Sequence, residues 1–108
     1  MTTSYIESTK DGEIYVAVLN ASKCKKIRGL WQEMISAFSL PDNAHPQDIR
    51  WYIFSSWLGF SKIKIILNNS SSLKKDLTHF NAIMDTLNSW KSEWESSSSQ
   101  NKLIIEIF

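Results

Sequence analysis

Few residues in this chain could serve as covalent or metal staples. Its one cysteine, Cys24, cannot form an internal disulfide, and no Cys/His cluster has the spacing of a zinc site. A chain so poor in cysteine suits a reducing compartment, and the cytoplasm is expected. Glycine is scarce too: Gly12, Gly29 and Gly59 make neither a phosphate-cradling loop nor a nucleophile elbow. The two prolines, Pro41 and Pro46, both fall in one breaker-rich stretch. No apolar run approaches the length of a membrane span. Residues 1–11 are polar, without the apolar centre of a signal peptide, and are expected to be a flexible leader. Charge of one sign is missing as well. Twelve Lys and Arg against eleven Asp and Glu leave +1, whereas a phosphate-bound protein normally carries a basic excess. Neither a direct nucleic-acid partner nor a membrane is expected from these totals.

What the chain does contain is enough for one core. Its 108 residues, 43% hydrophobic and 21% charged, match a single globular domain, expected over residues 12–108. Five tryptophans, five phenylalanines and three tyrosines raise the question of which aromatics face outward. Glu13 to Leu19 reads as a strand covered on both faces, with Ser22 placed to cap the segment that follows. Ile27, Leu30, Trp31, Met34, Ile35 and Phe38 then recur at helical spacing. Leu40 to Pro46 ends that helix, and Pro46 with Asp48 opens a second one running to Phe60. Ile63 to Leu67 is a second strand. Leu73, Leu77, Phe80, Ile83, Met84, Leu87, Lys91 and Trp94 mark a third helix, with Lys91 its one polar member. A serine-rich loop leads to a last strand over Leu103 to Phe108. The order β-α-α-β-α-β predicts an α/β fold: a three-stranded parallel sheet with helices packed on it.

The residues offer little catalytic apparatus. Cys24 stands among Lys23, Lys25, Lys26 and Arg28, and a helix N-terminus with positive charge lowers a thiol pKa. A small thiol-dependent enzyme is therefore an alternative. Against it, no second cysteine lies in CxxC reach, neither histidine is near in sequence, and lone cysteines are ordinarily buried apolar residues. His45 and His79 read as solvated or capping side chains rather than bases. No catalytic residue, cofactor or metal ligand is expected.

The second helix is more informative. Ile49, Ile53, Ser56, Trp57 and Phe60 form one stripe, sufficient for a core face. Trp51, Tyr52, Ser55 and Leu58 lie on other sides of the wheel, where folding alone has no use for two aromatics and a leucine. Large apolar side chains rimmed by polar groups are typical of protein interfaces. A permanent interface within a larger assembly would explain them too.

In this pattern the chain resembles the barstar family of ribonuclease inhibitors, from about Ile14 to Phe108. Phe38-Ser39-Leu40-Pro41 is similar to the apolar-x-Leu-Pro ending that opens the family's binding loop. Ile53-Phe54-x-x-Trp57 resembles the family's Leu-Trp-Asp-Cys-Leu helix, Gly59-Phe60 its Gly-Trp ending, and Ile63 to Leu67 the strand after it. The resemblance implies a protein that plugs a ribonuclease active site with its second helix and preceding loop. The family's two acidic helix positions fall here on Trp51 and Ser55, so both carboxylates are missing. The loop is longer, the family asparagine before the helix has no counterpart, and the acid of the last helix falls near Asp85 or Thr86. An aromatic plug, specific by shape rather than charge, is the expectation. The implied function is an immunity protein, monomeric when free, that blocks a cognate toxin, a nuclease above all. Asp42, Asn43, His45, Asp48, Trp51, Tyr52, Ser55 and Leu58 are its expected contact residues.

Overall fold

The computed structural model describes residues 3–10, 12–40, 57 and 59–108. Strands β1 (Thr3–Thr9) and β2 (Gly12–Asn20) come first, then a single 3-10 turn at Ala21–Lys23 and helix α1 (Ile27–Ala37). Strand β3 (Lys62–Asn68), a short helix α2 (Ser71–Lys75), the long helix α3 (Leu77–Ser97) and strand β4 (Lys102–Ile107) complete the order. The strands form one sheet in the order β1-β2-β3-β4. β2, β3 and β4 are parallel, in register Tyr15 to Ile63 to Leu103.

The α/β class and the parallel trio match the sequence expectation, but the sheet has four strands, not three. The leader expected over residues 1–11 contains β1, which pairs antiparallel with β2 from Thr3↔Val18 to Thr9↔Gly12. Gly12, the first residue of β2, has φ +117, a conformation that a side chain makes costly. Antiparallel neighbours need only a short turn, whereas parallel ones need a crossover.

Both long helices lie on one side of the sheet. Ala17 and Leu19 of β2, Ile63, Ile65 and Leu67 of β3, and Leu103 of β4 join Leu30, Met34, Ala37, Ile83, Leu87, Trp90 and Trp94 in one buried cluster. Alternation sends Ile14, Val16 and Val18 to the opposite face. There Val16 is fully buried. Across that face Lys64 Nζ lies 3.5 Å from Glu106 and 3.8 Å from Glu7, joining β1, β3 and β4 with a line of charge.

Local chemistry explains the helix ends. Asn20, not Ser22, caps the 3-10 turn by accepting from the Ser22 amide, and α1 starts after Lys26 with no side-chain cap. At the other end of α1, Ser39 takes the left-handed conformation (φ 53) while the Leu40 amide donates to Ile35 O at 2.9 Å. That is a Schellman ending, and Leu40 is buried as the motif prefers. The single third helix expected from Leu73 onward is divided at Asp76, whose carboxylate accepts from the His79 amide to cap α3. The break shifts the helical phase. Leu77, expected on the inner stripe, is 68% exposed, and Trp90 takes an inner place instead. Lys91, the polar member of the stripe, donates to Leu103 O (2.7 Å) and to Glu95, and Glu95 in turn accepts from the Leu103 amide (3.1 Å). One helical i,i+4 pair thus satisfies both backbone groups of a residue in the edge strand.

Candidate functional site

The expected contact residues Asp42, Asn43, His45, Asp48, Trp51, Tyr52, Ser55 and Leu58 lie outside the described residues. What the structure gives is the frame from which that segment departs and to which it returns. On the departing side, Phe38 and Leu40 are buried. On the returning side, Trp57 is helical and fully buried, and Phe60 is half-buried against the core. These anchors meet in a chain of rings: Tyr15 stacks on Phe38 (centroids 5.1 Å) and meets Phe60 edge-on (5.3 Å). Phe38 meets Trp57 (5.5 Å), and Trp57 meets Trp94 (5.3 Å), both edge-on. Offset and edge-to-face rings of this kind each add about 0.5–1.5 kcal/mol beyond their burial. The Tyr15 hydroxyl donates to Ala37 O at 2.7 Å, so the last residue of α1 is held as well. The inward positions that the sequence assigned to Trp57 and Phe60 are thus the positions they occupy.

Cys24 sits at the C-terminal end of β2, the usual place for ligands in an open α/β sheet. It follows the 3-10 turn rather than lying in the first turn of α1, and it is fully buried. Its Sγ donates to Asn20 O at 3.5 Å. Burial, reinforced by the nearby Glu33 carboxylate, pushes the thiol pKa up to about 12. The neighbouring lysines do not offset this, because they are exposed while the sulfur is not. The thiolate required by a thiol-dependent enzyme is therefore disfavoured at this sulfur. Glu33 is itself buried, with Oε1 accepting from the Asn20 amide at 2.7 Å, which closes the end of β2.

His79 is half-exposed and its Nδ1 lies 2.6 Å from Asp76 Oδ2. The ring hydrogen bond, then the His79 amide, draws the Asp76 carboxyl below its ordinary range, and Lys25 adds to the effect. This last influence is informative, for Lys25 and Asp76 lie 51 residues apart in the sequence. Helix α2 packs against the Ala21–Lys23 turn, so exposed Lys74 and Lys75 come beside exposed Lys23, Lys25, Lys26 and Arg28. Sequence reading saw only the second group, since nothing local pairs the two.

Among the described residues, no group of three or more His, Cys, Asp or Glu could hold a metal ion, and no helix is long and apolar enough to cross a membrane. No family model, curated protein or solved structure matches the chain.

Proposed function

We propose that the protein is an immunity protein that binds and blocks a cognate toxin, a ribonuclease or other nuclease, in the cytoplasm of the cell that makes both. The contact is made by residues 42–58, with Trp51, Tyr52, Ser55 and Leu58 as the part that the sequence pattern assigns to the second helix and Asp42, Asn43, His45 and Asp48 as the polar part. The observation that carries this reading is the full burial of Trp57 with the half-buried Phe60 packed against the same core. A helix phased by those two has its apolar requirement met on one side, and the remaining large residues of the pattern are then available to a partner. The resemblance to the barstar family implies a three-stranded parallel sheet, and the parallel trio β2, β3 and β4 supports it, with β1 as an added antiparallel strand. The rigid aromatic frame on either side of the segment favours binding without rearrangement.

The test begins with the tagged chain as bait in lysate of its own host at mild salt. A stoichiometric partner that is toxic alone and silenced by this chain supports the reading, and an RNA-cleavage assay then assigns the partner's chemistry. Trp51→Ala should weaken that complex about thirtyfold or more, as loss of a hot-spot aromatic does, with the unfolding midpoint unchanged. Normal binding by this variant would show that the surface lies elsewhere.

A further inference from the structure

We infer that the C-terminal end of the parallel sheet is a second, independent surface that docks on an anionic lipid bilayer. Lys23, Lys25 and Lys26 reach it from the β2–α1 connection, Arg28 from the first turn of α1, and Lys74 and Lys75 from α2. All six are exposed, and they make up half of the chain's twelve Lys and Arg. Among the described residues three acids stand at this end, and all are engaged: Asp76 by the ring and amide of His79, Glu33 by the amide of Asn20, and Glu106 by Lys64. The net charge of +1 therefore conceals a concentrated positive face.

The apolar residues here identify the partner. Leu77 (68%) and Phe108 (64%) are the two most exposed large hydrophobic side chains among the described residues. Both border the cations. Phe108 O accepts from the amide and hydroxyl of Ser70, whose own carbonyl receives the Lys74 amide, and Leu77 begins the helix that follows α2. A phosphodiester backbone has no use for a leucine and a phenylalanine, and no aromatic lies among the lysines to stack on bases. A protein interface would select Arg over Lys, whereas five of the six cations are lysines. Lysines around exposed apolar tips suit a bilayer, where cations meet lipid phosphates and the tips enter the boundary below. The described flanks of the 41–56 connection, Phe38 and Phe60, pack on Tyr15 at the opposite end of the sheet.

Co-sedimentation of the full chain with vesicles tests this. At about 50 mM salt the chain should bind phosphatidylcholine vesicles holding about 30 mol % phosphatidylglycerol, ignore pure phosphatidylcholine, and be released by high salt. K74A/K75A should lower partitioning about 25-fold, at about fivefold per lysine, and K25A/K26A should do the same. L77S should lower it about tenfold without altering the salt dependence. No binding to anionic vesicles, equal binding to both compositions, or preference for a fluorescent nucleic-acid duplex would overturn the inference. Toxin binding by K74A/K75A and vesicle binding by Trp51→Ala should both be normal, so failure of one surface is separable from failure of the other.

Discussion

The two ends of the parallel sheet are built on different physical principles. At the end where β2, β3 and β4 begin, Tyr15, Phe38, Trp57, Phe60 and Trp94 interlock through ring contacts spaced 5.1 to 5.5 Å. At the end where they finish, three short polar contacts hold the backbone: Glu33 on the Asn20 amide, Cys24 on the Asn20 carbonyl, and Ser70 on the Phe108 carbonyl. Outside those contacts stand exposed lysines. Dispersion and burial act over many atoms, so the aromatic end suffers most when a whole ring is removed. The polar end depends on single acceptors, and its outer residues are free to serve a ligand because the fold does not need them.

Removing a ring should have the largest effect. Trp57→Ala should cost about 3–5 kcal/mol of stability, the range for truncating a buried aromatic, measured by urea denaturation. A cost below 1 kcal/mol or so would mean that the aromatic end is not close-packed. At the polar end, Glu33→Ala leaves the part-buried Asn20 amide without its acceptor and should cost about 1–3 kcal/mol. Glu33→Gln, which keeps an acceptor oxygen, should recover most of that loss. If both variants lose equally, the carboxylate charge rather than its hydrogen bond holds the end of β2.

Acid should separate α3 from the rest more mildly. The His79 ring and amide hold the Asp76 carboxyl below its ordinary range, and the Leu103 amide followed by the Lys91 ammonium does the same for Glu95. In the acid window the unfolded chain binds more protons than the folded one, so stability rises with pH there. Both contributions are fully present above the ordinary carboxylate range and are lost as pH falls through the lowered folded values. Asp76→Asn with Glu95→Gln should flatten the acid limb of a stability–pH curve, and an unchanged slope would reject this origin. The smallest expected signal is at Cys24. With its thiol at about 12, iodoacetamide at mildly alkaline pH should label it only as fast as the protein opens. Immediate labelling of the native chain would restore the thiol-enzyme alternative.

Much of the architecture could be read from local pattern. The spacing of Ile27 to Phe38 anticipates α1, and the apolar runs at Glu13–Leu19, Ile63–Leu67 and Leu103–Phe108 anticipate the three parallel strands to within two residues at each end. β1 was missed because Thr3–Thr9 is almost wholly polar or exposed and its apolar pair, Tyr5 and Ile6, is adjacent rather than alternating. Asp11-Gly12 was the usable signal, a dipeptide typical of a tight hairpin. The break at Asp76 was hidden by a heptad-like spacing that runs across it. An aspartate three residues before a helical amide is a cap in one context and an ordinary surface acid in another.

The sequence by itself determined the α/β class, the parallel trio, the inward face of Trp57 and Phe60, and the absence of an internal disulfide. Each follows from periodicity or composition, which act over a few residues or over the whole chain. Tertiary structure alone decided that Lys74 and Lys75 stand beside the cluster from Lys23 to Arg28. It alone decided that Lys91 and Glu95 close the backbone of Leu103, and that Cys24 is sealed rather than poised. Those outcomes depend on which distant segments meet. Helix propensity and hydrophobic pattern specify only that a face must be covered, whereas the close approach of chain to chain specifies by what. At Gly29, for example, an added Cβ would fall 1.9 Å from Lys23 O.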